Sequence, residues 1–335
     1  LPRLFLHIGY PKTGTTGLQR YLSLNAARLK ERGILYPQAG RVTYKETGAV
    51  SDAHYAASFV LDIGHYEGKL AFPNVVDMKA QLAREVAESG CDQVVISSEY
   101  FITAKNLRVI AEFFDGYEVT IVVYLRRHDH AYESAYNQLL KTARPAPWNA
   151  TIEAFILYQQ GIQDVPYDYL ETIERWASVF GGRNINVRVF EKPPHGRNIY
   201  ADFLDAIGLV ETDDMEPVAR SMNESVSHPV LVAIRSVRSA NLAVEVQNRI
   251  VARLLVANSS EKPPLYLSSP MRNAIFSRHR KSYEVIARKF MGRERGVLFA
   301  EPAPAPDAPW SRPADPSPEE TMQRVLTAVG ALVKP

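Results

Sequence analysis

Gly9-Tyr10-Pro11-Lys12-Thr13-Gly14-Thr15-Thr16 sets glycines, a lysine and threonines side by side, directly after the apolar run Leu4-Phe5-Leu6-His7-Ile8. These are the groups with which a strand turns into a helix around phosphate oxygens. Glycines let successive backbone N–H groups curl inward, and a helix opening at Thr15 and Thr16 adds the positive end of its dipole. Apolar residues at 18, 21, 22 and 24 in Leu18-Gln19-Arg20-Tyr21-Leu22-Ser23-Leu24-Asn25 predict that helix. The position of the lysine then separates two chemistries. A loop for ATP ends in Gly-Lys-Ser/Thr, with the lysine on the β- and γ-phosphates and the hydroxyl on Mg²⁺. Here Gly14 is followed by Thr15, and Lys12 lies inside the turn. The spacing predicts a bound nucleotide and lowers the rank of a magnesium-dependent kinase.

A second constellation follows. The apolar strand Val119-Thr120-Ile121-Val122-Val123-Tyr124-Leu125 runs into Arg126-Arg127-His128-Asp129 and then a helix carrying Ser134, Tyr136 and Asn137. A guanidinium fork can take two phosphate oxygens while a hydroxyl from the next helix takes a third. Tyr10-Pro11-Lys12-Thr13-Gly14-Thr15-Thr16 resembles the 5′-phosphosulfate loop of the sulfotransferase family, whose donor is 3′-phosphoadenosine 5′-phosphosulfate, PAPS. Arg126 with Ser134 eight residues on looks like that family's 3′-phosphate motif, with Arg127 as a possible substitute. The resemblance, to the bacterial type of the family with its P-loop fold, covers residues 4–22 and 119–138 well and 93–100 and 185–191 loosely. It implies that Thr13, Gly14, Thr15 and Thr16 hold the 5′-phosphate, mostly through backbone N–H groups. Lys12 would stabilise the charge that moves onto the bridging oxygen, and no metal is needed.

Sulfuryl transfer also needs a base, and two residues compete. Glu99 ends the strand-like run Ile96-Ser97-Ser98, where cytosolic members of the family carry histidine and where open α/β sheets place ligands. Its ordinary pKa near 4.3 would have to be raised by burial. His54, in Ser51-Asp52-Ala53-His54-Tyr55, starts near 6.5 and needs little tuning. One could orient the other. His7, within the first strand, reads as a packed core residue. For the adenine, cytosolic relatives carry an aromatic after the threonine pair, where this chain has Gly17; Phe190 in Val189-Phe190-Glu191-Lys192 is the candidate replacement. The family's late Arg-Lys-Gly element is missing, and Arg278-His279-Arg280-Lys281 is a basic run in the corresponding region that could meet the 3′-phosphate or an acidic acceptor.

The elements that must position these groups alternate between strand and helix, which predicts a three-layer α/β fold with a mostly parallel sheet flanked by helices. Strands are expected at 93–98, 118–125 and 185–190, and helices over Asp77–Ser89, Leu107–Phe114, Leu170–Phe180 and 198–207 and through much of 228–256. Residues 40–75 read as an irregular loop lining a substrate cleft, with Tyr44, His54, Tyr55, His65, Tyr66 and Tyr100 mixing aromatic faces and polar tips. Those residues favour a carbohydrate or glycolipid acceptor, and the same composition would also suit a phenol or a peptide tyrosine. With 335 residues and 46% hydrophobic side chains, one domain over 1–300 is the simplest organisation. The remaining 301–335 begins with proline and alanine up to Pro318 and ends in an amphipathic piece, Thr321 to Leu332, expected to dock as a last helix. A net charge of +2 gives no nucleic-acid signature, and Cys91, the only cysteine, excludes an internal disulfide. With no apolar run of about eighteen residues and no leader-like start, a cytoplasmic enzyme without membrane insertion is expected. Two other classes stay open. A kinase would use Mg²⁺ on Glu99 or Asp129, and a noncatalytic module would bind the nucleotide and an acidic partner without turnover.

Overall fold

The computed structural model describes all residues except 45–46, 64–69, 142–150, 163–166, 192–195, 211–212, 219–224, 258–263 and 334–335. The first apolar run forms β1 (Arg3–His7), with Leu4 and Leu6 wholly buried on one face and Phe5 and His7 buried on the other, as a strand covered on both faces requires. Next come α1 (Thr15–Leu24), α2 (Ala26–Glu31) and the short strand β2 (Ile34–Leu35). The region expected to be irregular contains β3 (Thr43–Tyr44), α3 (Tyr55–Ile63) and β4 (Leu70–Ala71), with β3 and β4 paired antiparallel. α4 (Val75–Ser89) starts two residues before the expected Asp77, because Asn74 caps it by accepting the Asp77 N–H at 2.8 Å. Gly90, with φ 69°, ends it as foreseen.

β5 (Gln93–Ser97) leads into a 3-10 turn, Glu99–Thr103, then α5 (Leu107–Phe113) and β6 (Glu118–Leu125). The chain continues through α6 (His128–Leu140), α7 (Ile152–Ile162), α8 (Tyr169–Phe180), β7 (Ile185–Val189) and α9 (Ile199–Ala206). α10 (His228–Ser239), α11 (Val244–Ala257), α12 (Ser269–Met291) and α13 (Pro318–Val333) complete it. Among the described residues no helix is long and apolar enough to cross a membrane.

The main sheet has the order β2-β5-β1-β6-β7 and is parallel throughout. β1 lies in its centre with Leu6 level with Ile96 of β5 and Ile121 of β6. The chain crosses from one side of β1 to the other after β5, so the sheet reverses its winding at β1, and the carboxyl ends of β1, β5 and β6 border the crevice that such a reversal opens. On one face Phe5, Val95, Val122 and Tyr124 pack against Leu18, Tyr21, Leu22 and Leu29 of α1 and α2 and against Phe203 and Leu204 of α9. On the other, α5 and α8 pack together and α8 lies against β6 and β7, with Trp176 wholly buried. Each such side chain contributes roughly 1.5–3 kcal/mol through burial. This is the three-layer α/β arrangement of P-loop type.

Contacts divide the chain otherwise than at residue 300. One unit, Leu1–Arg126 with Asp164–Ala219 and His279–Pro302, holds the sheet. The other, Arg127–Gln163 with Arg220–Arg278 and Ala303–Pro335, is helical. The proline-rich stretch belongs to this helical unit, where the Trp310 indole donates to the Leu265 carbonyl at 2.9 Å and α13 packs on α10 and α11.

Candidate functional site

The turn after β1 is shaped by three left-handed residues: Gly9 (φ 60°), Lys12 (φ 69°) and Gly14 (φ 82°). Lys12 is the one non-glycine residue with positive φ among the described residues, a conformation that costs about 1–2 kcal/mol for an L side chain. The Lys12 carbonyl is held by Nη1 of Arg126 at 2.7 Å. The Thr13 hydroxyl is turned inward and donates to the Tyr10 carbonyl at 2.7 Å, so this buried threonine braces the loop and offers a ligand its backbone alone. Gly14 precedes α1 without a side-chain cap. The first intrahelical bond runs from Leu18 N–H to the Gly14 carbonyl at 3.0 Å, so the N–H groups of Thr15, Thr16 and Gly17 precede the helix ladder. Thr15 is buried and Thr16 exposed.

The loop passes over the end of β5. A methyl group at Gly9 would stand 2.8 Å from the α-carbon of Glu99, so glycine is required there twice, by φ and by this approach. Glu99 is half-buried, and its Oε2 accepts a bond from the Gln19 amide of α1 at 2.8 Å. Aromatic rings stand beside it. Tyr55 and Tyr100 meet edge to face at 5.5 Å, and Phe59 lies 4.6 Å from Tyr100. Burial, followed by the Glu99 carboxylate, pushes the Tyr55 phenol up. Tyr44 and Tyr100 remain exposed, at 40% and 43%. His65 and Tyr66 lie outside the described residues.

His54 corrects the expectation of a rival base. It is wholly buried; Nε2 bonds the Pro37 carbonyl at 3.0 Å and Nδ1 accepts the Ser97 N–H at 3.1 Å. Its own N–H donates to the Ser97 carbonyl at 2.8 Å. Burial, then the charge of Arg41, drives its pKa down to about 3. With both ring nitrogens bonded to backbone, the imidazole has no lone pair for a substrate proton, and it fixes the strand end two residues before Glu99. His7 is the packed residue expected: its Nδ1 pairs with the Ser97 hydroxyl at 2.7 Å, its ring meets Phe203 at 5.6 Å, and burial lowers its pKa to about 3.

On the opposite side of β1, Arg126 joins the loop. Its guanidinium lies 5.5 Å from the centroid of Phe190, and its carbonyl accepts the Tyr169 hydroxyl at 2.8 Å. Phe190 in turn abuts the loop, since a methyl at Gly14 would stand 2.9 Å from its Cε2. Phe190 therefore carries Arg126 and closes on Gly14. The space beside Gly17, where the expected aromatic is missing, is taken by Tyr200, whose hydroxyl would stand 3.0 Å from a methyl there and whose ring stacks on Tyr21 at 4.6 Å. Neither Gln19 nor Tyr200 is marked by any motif.

The helical unit holds Arg127, Asp129, Ser134 and Asn137. Arg127, offered as a substitute for Arg126, is instead buried with Nε and Nη2 on Asp129 at 2.8 and 2.9 Å. Asp129 also meets Arg272 at 2.8 Å. Burial pushes the Asp129 carboxyl up, but the Arg127 bond and the charges of His130, Arg272 and Arg127 outweigh it and hold the pKa below the usual carboxylate range. A carboxylate so committed is no magnesium ligand in waiting. Ser134 is half-buried on α6, beside Glu133, which accepts the N–H groups of Tyr266 and Leu267 at 3.0 and 2.8 Å. The Asn137 side chain exchanges two bonds with the Val226 backbone, at 2.9 and 3.1 Å. On α12, Arg278, Arg280 and Lys281 are exposed.

No family model matches the chain. A protein of Archaeoglobus fulgidus, described as uncharacterized, is 28% identical over 245 residues, 70% of this chain and 62% of the relative. The chain thus spans less than two thirds of the length of that curated relative. Among solved structures, a sulfotransferase from Alicyclobacillus acidocaldarius is similar with a TM-score of 0.39 and 17% identity, over 74% of this chain and 99% of that one.

Proposed function

We propose that the chain is a PAPS-dependent sulfotransferase. One observation carries the reading: the ends of three adjacent parallel strands bring together a left-handed Lys12 loop, Glu99 under Gly9, and Arg126 on the Lys12 carbonyl. The 5′-phosphate would be held by backbone N–H groups from Thr13 to Thr16 and by the dipole of α1. Arg126 would take the 3′-phosphate, and Phe190 is assigned to the adenine side. The acceptor hydroxyl would attack sulfur while the Glu99 carboxylate takes its proton. The sulfur–oxygen bond to the phosphate breaks, its electron pair stays on the phosphate, and the Lys12 ammonium meets that charge.

Gln19 would hold Glu99 by Oε2, and His54 would hold the strand end from which Glu99 emerges. For the acceptor we favour a carbohydrate or glycolipid hydroxyl, with an amine as the variant, because exposed Tyr44 and Tyr100 offer flat faces with polar tips near Glu99. The compartment we assign is the cytoplasm, in keeping with a single cysteine that is a buried free thiol. Calorimetric titration with 3′-phosphoadenosine 5′-phosphate in the absence of metal, beside Mg-ATP and adenosine 5′-phosphate, tests the donor site. Tight metal-free binding that depends on the 3′-phosphate is expected; preference for Mg-ATP would sink the reading and promote a kinase.

A further inference from the structure

Arg126 makes contacts that a side chain waiting only for an anion would not need. Its Nη1 donates to the Lys12 carbonyl at 2.7 Å, and its guanidinium rests on the Phe190 ring 5.5 Å from the centroid. Its main chain is fixed by the Tyr169 hydroxyl at 2.8 Å and by the Phe190 N–H, which donates to the neighbouring Leu125 carbonyl at 2.8 Å. The Phe190 ring closes on the Gly14 α-carbon, where even a methyl group would stand 2.9 Å from Cε2. Guanidinium and ring therefore meet the loop on either side of Thr13, one at the carbonyl before it and one at the α-carbon after it. The carbonyl so held belongs to the residue whose φ of 69° an L side chain rarely adopts. Such a conformation persists only where its surroundings over-determine it, and a charge-assisted bond is among the strongest ways to do so.

Resting on the sulfotransferase reading above, we propose that Arg126 is a positioning residue for Lys12 as well as a contact of the donor's 3′ end. One guanidinium then has two tasks, meeting the 3′-phosphate and placing the lysine that meets the leaving phosphate. An arginine that merely read the 3′-phosphate would be indifferent to a donor lacking it. An arginine that holds Lys12 matters for both donors.

Two measurements on the full chain decide this. In the ligand-free protein, Arg126→Ala and Arg126→Lys should make the backbone amides of residues 12–16 exchange with solvent at least about tenfold faster, while the thermal midpoint shows that the fold is kept. Unchanged exchange in both variants overturns the tether. In initial-rate assays, both variants should lose at least about tenfold in kcat with saturating PAPS and with adenosine 5′-phosphosulfate alike. A loss confined to KM for PAPS, with adenosine 5′-phosphosulfate used as well as before, overturns the positioning role and leaves Arg126 a phosphate contact. The exchange arm needs no donor. If the wild-type protein binds no 3′-phosphoadenosine 5′-phosphate, the sulfotransferase reading fails, and the exchange result still decides whether Arg126 holds the loop.

Discussion

Lys12 pairs a strained backbone with the charge that the proposed reaction needs, and the two roles separate by substitution. Lys12→Ala removes the ammonium and keeps the strain, and kcat is expected to fall about 10²–10³-fold, with affinity for 3′-phosphoadenosine 5′-phosphate falling far less; an unchanged rate removes the assignment. Lys12→Gly should be just as slow, yet more stable than Lys12→Ala by about 1 kcal/mol in urea denaturation, because glycine adopts φ 69° freely. Glu99→Gln keeps a group that can pair with Gln19 and removes the proton acceptor, so a kcat loss of about 10²–10⁴-fold is expected. His54→Gln should act chiefly on stability; a kcat loss as large as that of Glu99→Gln, in a protein of unchanged melting temperature, would reinstate the imidazole as the base. Lys12, Glu99 and Arg126 were legible because their residue types sit at the ends of apolar runs, where a parallel sheet delivers them. His54 was misread because a histidine in a glycine-rich stretch looks like a loop residue, and nothing local records that its nitrogens bond Pro37 and Ser97. Gln19 was invisible for the converse reason: an amide among helical positions reads as a solvent-facing residue.

The loop works only as part of the elements that grip it. Gly14 precedes α1 with φ 82°, and a methyl there would meet Phe190 at 2.9 Å after β7 and Ile199 at 3.0 Å in α9. Gly14→Ala should therefore cost at least about 2 kcal/mol, combining a left-handed alanine with a clash in a packed layer. Adding Phe190→Ala relieves the clash and not the φ, so the double variant should be less destabilised than the sum of the singles, read from urea midpoints; strict additivity would show that ring and loop do not touch. β1, β5 and β6 were easy to read because each carries an unbroken apolar run bounded by turn residues, whereas β2, β3 and β4, at two residues each, are too short to show one. α3 was not, because Tyr55-Ala56-Ala57-Ser58-Phe59-Val60-Leu61 is apolar almost all round, leaving no 3.6-residue period to see. The break between α10 and α11 hides in Ala240-Asn241-Leu242-Ala243, which lacks glycine and proline, the strongest punctuation a helix end can show. That the tail joins a helical unit was beyond reach for a different reason: the contacts of α13 with α10 and α11 are distant in sequence, and no local signal encodes them.

At the scale of the whole sheet unit, burying strands on both faces imposes a condition on pH. His7 and His54 both bond Ser97 from the interior, and burial lowers each pKa from 6.5 to about 3. Above pH 6.5 both are neutral in the folded and unfolded chains, so neither makes stability depend on pH. Below 6.5 the unfolded chain takes up two protons that the folded chain refuses, and stability falls by about 1.4 kcal/mol per pH unit for each histidine until the folded pKa is reached. By pH 5 the two together cost about 4 kcal/mol, a large part of the 5–15 kcal/mol typical of a folded domain. Asp129 in the helical unit adds a loss of the same sign in a lower window, because its depressed pKa withdraws its contribution as pH falls through the carboxylate range. The unit carrying the Lys12 loop should therefore soften first on acidification, near pH 5, before carboxylates protonate. Imidazole proton shifts followed by NMR from pH 8 to 5 should stay flat for His7 and His54 in the folded protein, and urea midpoints should decline over the same range. His54→Gln should remove about half of that decline whatever it does to stability at pH 8. If His54 instead titrates near 6.5, it is reached by solvent, and its exclusion as a proton acceptor falls with it.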